Sequence, residues 1–260
     1  MKLIREILGR IMAFWALLIF LVTMILFLIP FLAFCYFERD PKKTRRFVSI
    51  SRYWMDTFFF VVGCSIMVKG QENFMPGETY IVVCNHNSFF DIFISSPRIP
   101  GGNKTIAKIE LARIPVFNLI YNSGTVLVDR KNDRSRSESF VKMKAVLDQG
   151  LHMCIYPEGT RNRTDQPLKA FHNGAFKLAI ETNRSIIPAV IFNTRNVLPA
   201  KKTFFMWPQK MEISFLPAIS PFPDESMESL KGRVFEIMKH HYLAGFNGSH
   251  VAKRKKAPGR

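Results

Sequence analysis

Two residue types within one short stretch can do chemistry together. In YIVVCNHNSFFDIF, Tyr80 to Phe93, the imidazole of His86 is followed five positions later by the carboxylate of Asp91. An imidazole oriented by a carboxylate is a general base that can take a proton from a hydroxyl near neutral pH. On one continuous helix the two side chains would point about 140° apart, at about 100° per residue. They meet only if His86 lies in a loop and Asp91 in the first turn of the next helix. The local sequence offers that arrangement. Ile81-Val82-Val83 is the β-branched run of a buried strand, and Asn85 to Ser88 is a polar break. Ser88 is an N-cap candidate three residues before Asp91. The same Ser-x-x-Asp spacing also describes a plain capping box, in which Asp91 only stabilises a helix start. The pair taken alone leaves both readings open.

Three further strand-like runs end in polar clusters. Thr105-Ile106-Ala107 precedes Lys108-Ile109-Glu110, Thr125 to Val128 precedes Asp129-Arg130, and Cys154-Ile155 precedes Tyr156-Pro157-Glu158-Gly159-Thr160-Arg161. Strand ends and the loops after them line the clefts of α/β domains. Gathered beside His86, the cations Lys108, Arg130 and Arg161 would form a phosphate-sized pocket, since guanidinium forks suit phosphate. Gly159 would let backbone N–H groups approach the same anion. Each cluster also has an ordinary reading: a solvated lysine, a weak surface ion pair, or a Pro-Gly turn.

The elements that must position these groups alternate. Strands are expected at Ile66–Val68, in the 80s, at Thr105–Ala107, Thr125–Val128, Met153–Ile155, Ile186–Phe192 and Met211–Leu216. Helices are expected after Ser88, over Lys108–Asn122 with a break at Pro115, from a Ser135-x-x-Glu138 start to Gly150, over Ala175–Thr182, and from about Glu225. In the last, Met227, Leu230, Val234, Ile237 and His241 share one face. The alternation predicts an α/β domain, residues 65–245, with a mixed, largely buried sheet flanked by helices. Residues 246–260 read as a disordered basic tail.

Residues 1–64 read as a membrane-anchoring helical segment. Ile11 to Phe37 holds no charged residue. As a helix it would be about 40 Å long, against a hydrocarbon core of roughly 30 Å. No small-residue cleavage site follows, which argues against a signal peptide. The run spans the bilayer or bends at Pro30 within one leaflet. The basic flank after it, heavier than the one before, puts the rest of the chain on the cytoplasmic side. Arg45 to Phe60 mixes basic and aromatic residues and reads as an amphipathic helix in the headgroup region. The formal net charge of +17 calls for anionic partners. Nucleic acid fits poorly beside an anchor, and no recognition motif supports it. The four cysteines lack C-x-x-C spacing and read as buried free thiols. No metal-ligand set is visible.

Several blocks together resemble a known family. Asn85-His86 with Asp91 resembles the N-H-x-x-x-x-D motif of the glycerolipid acyltransferases. Gly124 to Arg130 resembles their G-x-x-x-x-D-R block, Glu158-Gly159-Thr160-Arg161 their E-G-T-R block, and Ile187-Pro188-Ala189-Val190 the apolar strand with proline. Lys108-x-Glu110-Leu111 and Phe171 to Phe176 are similar to flanking positions. Asn87 stands where glutamine is common, and His172 where lysine or arginine is frequent. Among these enzymes the 1-acyl-glycerol-3-phosphate acyltransferases resemble the chain most. The resemblance implies a membrane enzyme that moves an acyl group from acyl-CoA or acyl carrier protein to the sn-2 hydroxyl of lysophosphatidic acid, giving phosphatidic acid. His86 and Asp91 would be catalytic, with Lys108, Arg130, Glu158, Gly159, Thr160 and Arg161 binding substrate and no cofactor or metal required. The alternatives are another acceptor, such as glycerol-3-phosphate or a different lysolipid, and a non-catalytic membrane lipid-binding protein.

Overall fold

Fully buried strands rich in β-branched residues need cover on both faces, and the fold supplies it. A computed structural model describes residues 2–109, 123–129 and 132–255, the side chains of Lys108, Asp133, Arg136 and residues 246–255 excepted. The helix expected between Lys108 and Asn122, with Glu110, Leu111 and Pro115, and the residue Arg130 lie outside the described residues. Seven strands form one sheet: β1 Ser65–Lys69, β2 Ile81–Cys84, β3 Asn103–Lys108, β4 Thr125–Val128, β5 His152–Ile155, β6 Ile186–Phe192 and β7 Lys210–Phe215. Their spatial order is β1-β7-β6-β2-β5-β3-β4. Neighbours are parallel except β6 and β7, so the sheet is mixed. β2 lies at its centre, and all four of its residues are buried.

The two-residue period of a strand sorts those side chains between two cores. Val82 and Cys84 face a cluster built with α1 Lys2–Cys35, α2 Lys42–Val61 and α3 Asp91–Ser95. Ile81 and Val83 face a second cluster with α4 Asp133–Asp148, α5 Gly174–Thr182 and α7 Met227–Lys255. A single turn, α6 Thr194–Val197, follows β6.

The strand expectations agree closely with this sheet. One helix start needed correction. α4 begins at Asp133 with Asn132 as its cap, because the Asn132 side chain accepts the Ser135 N–H at 3.2 Å. The Ser135 hydroxyl instead accepts the N–H of Asp129, tying the end of β4 to the helix. Gly150, at φ +73°, closes α4 as its position suggested. On α7 Leu230 and Val234 are buried as expected, but the stripe continues to Met238, four residues on, and leaves Ile237 exposed. α7 also runs on to Lys255, through ten residues of the segment read as a disordered tail.

α1 and α2 form an antiparallel hairpin. Trp54 Nε1 donates to Thr23 Oγ1 at 3.0 Å, and Phe31 meets Phe47 edge-on. The sequence reading puts the aromatic residues of α2 among headgroups. The structure instead buries Trp54, Phe58 and Phe59 and leaves Tyr53 and Phe60 outside. The reason is spacing: positions 54, 55, 58 and 59 make one helical stripe, packed on α1 and the sheet. α2 is further fixed by the ion pair of Asp56 with buried Arg98. The first turns of α1 dock on the loop before β7. Met206 N–H donates to the Gly9 carbonyl at 3.0 Å, Glu6 pairs with Lys202, and Arg5 lies over Trp207.

Candidate active site

His86 leaves the C-terminal end of β2, and Asp91 opens α3. Their side chains meet as the loop-then-helix arrangement requires: Nδ1 of His86 lies 2.8 Å from Asp91 Oδ2. Asp91 is fully buried. Its Oδ2 also accepts the N–H groups of Asn87 at 2.5 Å and Ser88 at 2.7 Å, and Oδ1 accepts the Thr194 hydroxyl at 2.6 Å. The bond to Ser88 N–H is half of a capping box. One carboxylate therefore closes the turn and meets the imidazole at once. A carboxylate acceptor at Nδ1 puts the ring proton there and leaves Nε2 as the basic nitrogen.

The backbone of His86 is held from both sides. Its N–H donates to Glu158 Oε1 at 2.8 Å, and its carbonyl accepts the Asn162 N–H at 2.6 Å. Asn85 exchanges two bonds with the Ile191 backbone and so locks the loop onto β6. The ring of His86 lies against Tyr156, centroids 4.6 Å apart, and the Tyr156 hydroxyl meets Ser95 at 2.6 Å. Burial, with Cys154, Cys84 and Asp91 nearby, pushes the Tyr156 phenol well above its ordinary range, so it stays neutral. Burial likewise pushes the Cys84 thiol up, and all four cysteines are buried and unbridged.

A cleft of about 700 Å3 opens over His86. Its walls are apolar at Phe89, Ile92 and Ile106 and cationic at Arg161, Arg163 and Lys169. Arg161 is exposed and makes no hydrogen bond or ion pair among the described residues. Thr160 borders the same cleft, and its hydroxyl accepts Lys169 Nζ at 2.7 Å. Two residues of the E-G-T-R block have other work. Glu158 is buried, with its second oxygen accepting the Lys169 N–H at 3.0 Å, so it braces the loops beneath the cleft. Burial pushes its carboxyl above the ordinary range, against the opposing pull of those two N–H groups. Gly159, at φ +69°, does line the cleft, but its N–H closes the turn on the Tyr156 carbonyl. The side chain of Lys108 is not described, although its backbone ends β3 at the same edge of the sheet.

Three contributors escaped the sequence reading: Lys169, Thr194 and Arg195. Arg195 donates to the carbonyls of Asn162 and Thr164 and to Asn87 Oδ1, holding both loops around His86. The available signal was the polar Asn193-Thr194-Arg195 directly after the apolar run of β6.

Residues 65–192 match the profile of the Acyltransferase family. That segment is just under half of the chain. The chain is 35% identical over 140 residues to 1-acyl-sn-glycerol-3-phosphate acyltransferase of Borreliella burgdorferi, covering 53% of this chain and 55% of that one. It is 34% identical over 137 residues to the enzyme of that name from Cocos nucifera, covering 52% of this chain and 44% of that one. The matched region thus spans about half the length of each of these relatives. A longer match, 27% identical over 203 residues, is to 1-acyl-sn-glycerol-3-phosphate acyltransferase alpha of Mus musculus, covering 75% of this chain and 71% of that one. Among solved structures, the 1-acyl-sn-glycerophosphate acyltransferase PlsC of Thermotoga maritima superposes with a TM-score of 0.76 at 22% identity, over 100% of both chains. That likeness is one of fold.

Proposed function

We propose that this acyltransferase moves a fatty acyl group from a thioester donor, acyl-CoA or acyl carrier protein, to the sn-2 hydroxyl of 1-acyl-glycerol-3-phosphate, releasing phosphatidic acid and the free thiol. The observation that carries this reading is the His86–Asp91 pair at the floor of a cleft rimmed by the cations Arg161, Arg163 and Lys169. Nε2 of His86 takes the hydroxyl proton as the oxygen attacks the thioester carbonyl. Asp91 stabilises the imidazolium that forms. When the tetrahedral intermediate collapses, the C–S bond breaks and the imidazolium returns its proton to the leaving thiolate. The nucleophile is the substrate itself, so no acyl-enzyme forms. Arg161, with Lys169, suits the acceptor's phosphate. The names of the similar enzymes point to the same acceptor.

The substrates favour a site pressed against a membrane. α1 is long and apolar enough to cross one, and it exposes Ile4, Ile11, Leu18, Ile25 and Ile29 among others. At about 1.5 Å per residue its 34 residues reach about 50 Å. Its other side is covered along that length by α2 and by the loop before β7. A helix bound to its own domain at both ends fits burial of the outer face in one leaflet better than a span. The catalytic domain would then face the cytoplasm, where thioester donors are made. Purified protein incubated with each donor and a panel of lysophosphatidic acid, other lysolipids and glycerol-3-phosphate tests the reading. Phosphatidic acid is the expected main product. Preference for an acceptor without phosphate would refute the assignment.

A further inference from the structure

A second cationic pocket of about 370 Å3 lies where the first turns of α1 meet the 162–165 loop and the loop before β7. Five basic residues line it, Arg5, Arg163, Arg195, Lys201 and Lys202, against one acid, Asp165. Such a charge ratio in a concave site selects anions. Three of the cations are held in place. Arg195 is fixed by its three acceptors, Arg5 lies 5.1 Å from the Trp207 ring centre, and Lys202 is shared between Glu6 and the Phe205 ring. Arg163 and Lys201 make no hydrogen bond or ion pair among the described residues, so two charges stand ready on a fixed frame.

The pocket also adjoins the catalytic cleft. Arg163 lines both. Asn162, which lines the second pocket, is the residue whose N–H binds the His86 carbonyl. One loop thus separates the two spaces. A thioester carrier has its phosphates at the far end of a pantetheine arm, away from the reacting carbonyl. It therefore needs an anion site displaced from the base, while Arg161 and Lys169 serve the acceptor. We propose that the pocket binds a phosphate ester, and that this ester is the phosphate end of the acyl donor. The inference rests on the function proposed above. A membrane lipid headgroup is the other source of the same chemistry, because the first turns of α1 expose Leu3, Ile4 and Ile7 beside it.

The test uses Lys201→Glu in the full chain, a substitution at an exposed position. Donor KM should rise about tenfold, the size of one lost charged contact, while acceptor KM stays put. Sedimentation with phosphatidylcholine vesicles containing phosphatidylglycerol should not change. A lower bound fraction with unchanged donor KM would make the pocket a headgroup site and overturn the donor assignment. No change in either quantity would overturn the site itself. A second arm needs no turnover. Calorimetric titration of His86→Ala protein with CoA and with holo acyl carrier protein should show binding that weakens when Lys201→Glu is added. If no thioester supports turnover by the unaltered protein, the proposed function fails, and this titration still decides the pocket.

Discussion

At the scale of single residues, the site depends on one carboxylate doing two jobs. Asp91 satisfies the N–H groups of Asn87 and Ser88 and also faces His86 Nδ1, so the turn and the base are built by the same bonds. Thr194 completes the set from another strand end. Thr194→Val keeps shape and removes that hydroxyl. We expect kcat to fall about tenfold with KM little changed, since a hydrogen bond to a charged group contributes about 1.5–3 kcal/mol. A KM effect alone would show that Thr194 acts on binding and not on the base. Arg161→Ala should raise the KM for a phosphate-bearing acceptor roughly ten- to a hundredfold by the same scale. Unchanged kinetics there would remove Arg161 from the anion site. The His86–Asp91 pair was legible because its spacing is local and encodes a loop and a helix start. Glu158 was visible as a polar residue after a strand, but its inward direction was not. Direction depends on the turn at Gly159 and on two N–H groups arriving from positions 86 and 169.

At the scale of elements, strand positions followed from apolar runs and the end of α4 from Gly150, but the start of α4 did not. Caps depend on which of several neighbouring polar residues reaches an N–H, as Asn132 does in place of Ser135. The burial of the α2 aromatics was hidden for a related reason: a stripe of Trp and Phe reads the same whether it meets lipid or another helix. Packing at Gly9 was equally silent in sequence. A Cβ there would sit 2.0 Å from the Phe205 ring. Gly9→Val should therefore undock the first turns of α1, against a helix-propensity gain of only a few tenths of a kcal/mol. Limited proteolysis checks this, with faster cleavage in the loop before β7 expected. On β5, burial above all, with Arg45 nearby, lowers the His152 pKa to about 4. Its Nδ1 accepts the Tyr80 N–H as a neutral ring. The unfolded chain protonates this residue near its ordinary value, so its contribution is complete above about pH 6.5 and is lost as pH falls towards about 4. At about 1.4 kcal/mol per pH unit the loss is on the order of 3 kcal/mol. Melting curves of His152→Gln should show a shallower decline of Tm over that window than the unaltered protein. An identical decline would place the acid sensitivity elsewhere.

At the scale of the whole molecule, the sheet separates two tasks. One face packs on α2 and on α1, whose outer side is apolar, and the other packs on α4, α5 and α7. The cleft opens over the loop after β2, so on the function proposed above His86 would meet a lipid hydroxyl from the membrane side and a water-borne donor. The alternation of strands and helices and the apolar first helix were readable from the chain. The hairpin of α1 with α2 was not, because its contacts join residues whose pairing only folding specifies, such as Thr23 with Trp54. The central claim is that His86 is the general base of acyl transfer in this frame. It is tested most directly by phosphatidic acid formation from lysophosphatidic acid and a thioester donor on vesicles, comparing the unaltered protein with His86→Ala. Turnover should vanish in the variant, while Tm and vesicle binding remain those of the unaltered protein. Normal turnover by a folded, membrane-bound His86→Ala protein would contradict the mechanism.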